Sequence, residues 1–295
     1  MRTIAWLTLA LAQASAPAAD GAPNVVFLLA DDLGYGDLGA YGHPHARTPN
    51  LDRLAAEGTR FRQFMVAGIT CCPSRTGFMT GRFPARYPTY PANGGFAGRP
   101  TVTELLKSAG YATGHFGKWH IGPDTKPGTY GIDVISSAAG GKRDERGRDA
   151  AVYDEAIRFI EQNRDRRFYV NVWGHMTHFP VDAPAAYEEK FKDLKADPAD
   201  YPEPMRAKFK ARSALGDVQA GLRNYLGELL ALDESVGRLL KRLDELGLRE
   251  KTLVVFSSDH GPDDGQGEGG RKDGRPGDLN MMGSAGELRG GKHSP

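Results

Sequence analysis

Two cysteines stand side by side, Cys71-Cys72, in a chain that has no others. A disulfide between neighbours is badly strained, so the pair is no structural staple and a chemical purpose gains weight. In the run Cys71-Cys72-Pro73-Ser74-Arg75, Pro73 suits the first turn of a helix. That puts Cys71 at an N-terminal end whose free backbone N–H groups favour an anion, with Arg75 one turn on. Charge also gathers at Asp31-Asp32, at Asp259-His260, at Lys118-Trp119-His120, at His175-Met176-Thr177-His178 and at Lys292 after Gly290-Gly291. Paired acids alone are more often turn or cap residues than metal ligands. Two such pairs at strand ends beside one reactive thiol favour a hard divalent cation instead. Lys118 and His120, two apart on an extended segment, share a face from which Trp119 turns away.

The elements that must position these groups are legible. Asn24 to Ala30 is a continuous apolar run ending at Asp31-Asp32, and Leu253-Val254-Val255-Phe256 runs toward Asp259-His260; both read as strands buried on two faces. Arg167 to Trp173 is another strand, and Tyr111 to His120 a strand and loop. Helices are expected from Thr48-Pro49 to Gly58, from the capping box Thr101-Val102-Thr103-Glu104 to Gly110, from Asp149 to Asn163, and from about Asn224 to Leu246 on an i, i+3, i+4 pattern. Residues 181 to about 223 are polar and read as a surface excursion, and no strand or helix is expected beyond Gly261. The alternation defines an α/β fold with a mostly parallel central sheet flanked by helices, its ligands gathered at the carboxyl ends of the strands.

The string from Cys71 to Arg82 resembles the signature of the type I, formylglycine-dependent sulfatases of the alkaline phosphatase-like superfamily, CxPSR followed after four residues by Thr-Gly. Gly117-Lys118-Trp119-His120-Ile121-Gly122 resembles that family's GKWHxG motif, and His175 to Pro180 its His-x-x-His-x-Pro stretch. Leu288-Arg289-Gly290-Gly291-Lys292 is similar to its glycine-flanked lysine. The resemblance implies that a separate maturation enzyme oxidises Cys71 to formylglycine. It implies Ca2+ at Asp31, Asp32, Asp259 and Cys71, with His260 beside the ion or the sulfate. A hydrated aldehyde offers two hydroxyls on one carbon, one to attack sulfur and one whose deprotonation expels sulfate. Lys118 would neutralise a sulfate oxygen, His120 accept a proton from the gem-diol, His178 bind sulfate and protonate the leaving group, and Lys292 reach the sulfate, with Arg75, one turn on from Cys71, counted among the catalytic residues. The role of His175 stays open. The implied activity is that of an arylsulfatase-like sulfuric ester hydrolase acting on a sulfated small molecule or carbohydrate.

With 295 residues, 40% hydrophobic and 25% charged, the composition is that of an ordinary globular protein. The formal net charge of +1, from 38 basic and 37 acidic residues, supplies no broad basic field for nucleic acid or an anionic membrane. Residues 1–19 have the basic start, short apolar run and small-residue exit of a signal peptide, so a secreted or periplasmic protein is expected. The apolar run falls short of the ~20 residues that span a bilayer. Residues 23–295 read as a sulfatase catalytic domain incomplete at its C-terminus, because the family's following aromatic-Glu-Gly-Gly turn, last strands and small antiparallel subdomain do not appear. Two other readings stand beside sulfate hydrolysis: a phosphonate monoester or phosphodiester hydrolase of the same superfamily, and an inactive truncated fragment that retains metal or anion binding.

Overall fold

A computed structural model describes residues 21–90, 94–122, 125–137, 144–263 and 279–294. The expected signal peptide and residues 264–278 of the glycine-rich stretch after Gly261 lie outside the described residues. Asn24–Ala30, apolar after its first residue, forms β1 and is hydrogen-bonded in parallel to β4 (Phe168–Trp173) and β5 (Thr252–Ser258). β4 pairs with β2 (Ala112–Gly117), and β2 with β3 (Val134–Ser136), in the order β3-β2-β4-β1-β5 with every pair parallel. Register matters here. Leu29 lies opposite Trp173 and Ser257, and Trp173 opposite Gly117, so four strands finish level. Asp31, Lys118, His175 and Asp259 therefore emerge together at the carboxyl ends of the strands.

Around the sheet lie α1 (Pro49–Glu57), α2 (Cys71–Thr80), α3 (Val102–Ser108), α4 (Ala150–Gln162), α5 (Ala185–Glu189), α6 (Glu203–Ser213) and α7 (Val218–Glu245). The capping box of α3 forms, with Thr101 accepting from the Glu104 N–H. In α7 the leucine seam is buried, and Asp233 within it accepts from Asn50 Nδ2 and the Leu51 N–H, both at 2.8 Å, capping α1 from across the interface. Beneath the site Leu29, Met79, Trp119, Ile121 and Trp173 form a separate small apolar cluster. Gly117 (φ 101°) is required there, because a Cβ would strike the Trp173 carbonyl.

Four expectations are corrected. α7 starts at Val218 rather than near Asn224, because Asp217 accepts from the Gln219 and Ala220 N–H groups and caps it. Residues 181–223 are not a mere excursion: they hold α5 and α6 and sink Tyr187, Phe191, Tyr201, Met205 and Phe209 into the main core. Among the described residues β5 lies at the sheet edge rather than buried on both faces, with Leu253 53% and Val255 38% exposed. Finally, His120 is not on extended backbone. β2 ends at Gly117 and His120 has φ 49°, so strict alternation fails and the residue is exposed while Trp119 is buried.

Candidate active site

Cys71 opens α2 and is 3% exposed. Its Sγ donates to Asp31 Oδ1 at 3.5 Å, accepts from Lys118 Nζ at 3.4 Å and lies 3.3 Å from His260 Nε2. Cys72 faces the Ile121 carbonyl at 3.9 Å instead, so the two thiols have different surroundings. Burial, reinforced by Asp31 and Asp259, pushes the Cys71 thiol far up despite Lys118 and Arg75. As a thiol it is a poor nucleophile.

Arg75, one helical turn on, is fully buried. Its Nε and Nη2 donate to Asp259 Oδ2 at 3.1 and 3.0 Å, and its Nη1 to the Lys118 carbonyl at 2.8 Å. The guanidinium lies 5.3 Å over the Trp173 ring. Arg75 thus holds Asp259 and the Lys118 backbone in place, and its reach to the nucleophile is indirect.

The acids and cations interleave. Lys118 Nζ is bonded to Asp31 Oδ2, and Lys292 Nζ lies 3.1 Å from Asp32 Oδ2 and 3.0 Å from Asp263 Oδ2. Burial raises the Asp31 carboxyl, but Arg75 and Lys118 outweigh it and hold it well below the ordinary carboxylate range. Asp32 goes the other way: burial, then the charges of Asp31 and Asp259, push it up to about 8. Burial lowers Lys292, yet Asp32 and Asp263 prevail and raise it.

This donor set fits a hard divalent cation. Ligand atoms of Asp31, Cys71, Asp259 and His260 lie within 4.8 Å of one another, as do those of Asp31, Asp32, Cys71 and His178. His260 Nε2 stands 3.2 Å from Asp32 Oδ1 and 3.2 Å from Asp259 Oδ1, besides the cysteine sulfur. One ring N–H can serve only one of these acceptors, and Asp32 Oδ1 is buried without a properly aligned hydrogen bond. Buried, crowded carboxylate oxygens left wanting positive charge are what Ca2+ takes as ligands. Burial lowers the His260 ring toward neutrality, with Asp259 and Asp31 opposing.

His178 follows β4 and is brought to the same place. Its Nε2 lies 3.2 Å from Lys292 Nζ and 3.8 Å from Asp32 Oδ2, while Nδ1 is 2.6 Å from the Phe179 carbonyl. Burial, then Lys118 and Lys292, lower its pKa against the pull of Asp31. His120 stays at the rim, its pKa lowered by partial burial, Lys118 and Arg75. His175 is turned to Asp149, with Nδ1 3.0 Å from Oδ1. Ten sequence-identified residues therefore divide plainly: Asp31, Asp32, Cys71, Arg75, Lys118, His178, Asp259, His260 and Lys292 form one bonded cluster, and His120 borders it.

Residues not singled out in the sequence also build the site. Asp263 pairs with Lys292, and Asp37 ties the loop bearing Lys292 to the β1 loop. Fully buried, Asp37 accepts from the Gly34 N–H at 2.6 Å, the Tyr225 hydroxyl at 2.6 Å and the Ser284 N–H at 2.7 Å. Burial pushes its carboxyl up to about 6 against those bonds. Its only sequence signal was a third acid in Asp31-Asp32-Leu33-Gly34-Tyr35-Gly36-Asp37.

The parallel sheet thus presents a helix N-terminus and an acidic cage together at the carboxyl ends of its strands. The chain belongs to the sulfatase family, whose profile, described as Sulfatase, matches residues 23–294. It is 32% identical over 309 residues to human arylsulfatase A (Homo sapiens), covering 87% of this chain and 55% of that protein. It is 32% identical over 296 residues to N-acetylgalactosamine-6-sulfatase of Canis lupus familiaris, covering 87% and 54%. The fold is similar to the crystal structure of Ps i-CgsB in complex with k-i-k-neocarrahexaose, with a TM-score of 0.65 and 25% identity over 81% of this chain and 58% of that one. The chain spans about half the length of the curated relatives it matches. Among the described residues no helix is long and apolar enough to cross a membrane.

Proposed function

We propose that this chain carries the reaction centre of an exported sulfuric ester hydrolase, with Cys71 converted to formylglycine by a maturation enzyme and Ca2+ held by Asp31, Asp32 and Asp259 beside His260. The convergence of Lys118, His260 and Asp31 on Cys71 Sγ, within 3.5 Å and at a helix N-terminus, carries this reading. The hydrated aldehyde supplies an oxygen nucleophile and Ca2+ a Lewis acid. Lys118 and Lys292 bind the sulfate oxygens, which takes both ammonium groups from the carboxylates they pair with in the substrate-free site. His178 gives the proton from Nε2 to the leaving oxygen. With Nδ1–H donated to the Phe179 carbonyl, it must be an imidazolium to do so. An anionic sulfate between Lys118 and Lys292 offsets the two charges that disfavour that form. His120, exposed at the rim, takes a proton from the nucleophile and passes it to solvent.

A sulfated carbohydrate is the favoured substrate class, supported by a relative named N-acetylgalactosamine-6-sulfatase and by the similar structure's bound neocarrahexaose. Export through residues 1–19 and a catalytic domain from residue 23 belong to the same proposal. The test is hydrolysis of an aryl sulfate against an aryl phosphonate by protein matured in a competent host, followed by a panel of sulfated sugars. Sulfate turnover is expected; a phosphonate preference of orders of magnitude would sink the assignment, and metal binding without any turnover would favour an inactive chain.

A further inference from the structure

The loop that bears His175 and His178 is gripped on its outer side by two consecutive residues just before α4. Asp149, fully buried, accepts through Oδ2 from the backbone N–H groups of His175 at 2.7 Å and Met176 at 2.8 Å. Arg148 does the complementary work: Nη2 donates to the His175 carbonyl at 2.8 Å, and Nη1 to those of His178 at 2.9 Å and Pro180 at 2.7 Å. On the inner side the same loop is stitched to the acidic pair, Thr177 N–H donating to the Asp31 carbonyl at 2.7 Å and Asp31 N–H to that of Met176 at 3.0 Å. Behind Arg148 stands Glu228 of α7, buried, with Oε1 3.7 Å from Nη1.

We infer that Arg148 is a positioning residue for the proton given to the leaving group, acting through the loop backbone on either side of His178, whose placement brings the ring to Lys292 and Asp32. The inference rests on the proposed role of His178. The guanidinium fork suits this task because its donors diverge in one rigid plane and reach three carbonyls at once, which a single ammonium on a flexible stem does not reproduce. Since all three bonds that Arg148 makes to the loop go to backbone carbonyls, its grip sets where the loop lies whatever the loop's side chains are. The His178 ring then needs only its own bond to the Phe179 carbonyl to be aimed. Loss of the fork should therefore harm the step that depends on the ring and leave sulfate binding by Lys118 and Lys292 nearly intact.

The experiment compares matured wild type, Arg148→Met, Arg148→Lys and His178→Asn on a nitrophenyl sulfate, whose leaving group needs no proton, and on a sugar sulfate, whose leaving group does. Arg148→Met is expected to lower kcat on the sugar sulfate at least ~10-fold more than on the aryl sulfate, with KM changed less than ~2-fold, on the scale of general acid catalysis. Arg148→Lys should recover part of that loss. His178→Asn should show the same bias, and adding Arg148→Met to it should bring no more. In parallel, the His178 ring N–H is followed by 15N-edited NMR in the intact chain, where it should be sharp in wild type and lost in Arg148→Met. Equal losses on both substrates with the ring signal unchanged overturn the inference, and Arg148→Lys decides the matter if Arg148→Met does not fold. If His178→Asn shows no leaving-group bias, or wild type does not turn over, the hydrolase reading of His178 fails and the ring signal alone judges the grip.

Discussion

The Lys292 ammonium lies 3.2 Å from Nε2 of His178, joining a late loop to the loop after β4. Because Nδ1–H is committed to the Phe179 carbonyl, Nε2 of the neutral ring accepts from Lys292. Removing that positive neighbour stabilises the imidazolium. Lys292→Met is therefore expected to raise the pKa of His178, read from an NMR titration of the ring, and to raise KM for a sulfate ester about 10-fold or more. An unchanged His178 titration would contradict the contact.

Mass spectrometry of the Cys71 peptide from a host with the maturation system should show a species about 18 Da lighter than the thiol, as replacement of CH2SH by CHO requires. Cys71→Ala should abolish turnover and keep calcium binding, since the carboxylates that fit the ion stay in place. Full activity with an unmodified thiol would remove the proposed chemistry.

Asp32 is pushed up to about 8 by burial and by Asp31 and Asp259, so at pH 7 the cation-free site holds a proton there. Ca2+ bound there would expel it. Addition of Ca2+ in weak buffer at pH 7 is expected to release about one proton, a release that fades above pH 8 and vanishes in Asp32→Asn. Ca2+ should also raise the melting temperature, and a chelator should reverse the gain.

Glu228 makes a stability prediction with a definite sign. Burial, reinforced by Asp149 and Asp182 and only partly offset by Arg148, pushes its carboxyl up to about 8 from 4.5. Between those values the native state keeps a proton that the unfolded chain has lost, so this group's contribution to stability falls as pH rises through the window. Glu228→Gln removes that loss. Its stability advantage over wild type should be small below pH 4.5 and grow to about 4 kcal/mol by pH 8, measured by denaturant unfolding across pH. A difference independent of pH would refute it.

How much of this could be read from the chain depends on how each residue acts. Cys71, the acids and Lys118 do chemistry with their own side chains at fixed spacing, so type and position announced them. Arg148 and Asp149 act through another loop's backbone, which leaves no mark on the sequence of either partner. Asp37 is similar, since two of its three donors are N–H groups supplied by Gly34 and Ser284. β1 and β4 were legible because these central parallel strands are mostly apolar, whereas the same composition misled at β5, whose edge position among the described residues leaves Leu253 and Val255 exposed. The three residues of β3 carry too few side chains to show a pattern. The aromatic residues that sink 181–223 into the core are spaced among lysines and aspartates too widely to reveal a face.

The near-complete burial of Cys71 sets a deadline. Its sulfur is covered by His260, 189 positions further along the chain, and by Lys118 just after β2. A ribosome delivers α2 long before β5, and for that interval the thiol stands open to a visiting enzyme. Once β5 has docked beside β1, the same thiol is sealed in. The conversion proposed for Cys71 therefore belongs to the nascent chain, and folding that outruns it yields a well-formed molecule in which the change can no longer be made.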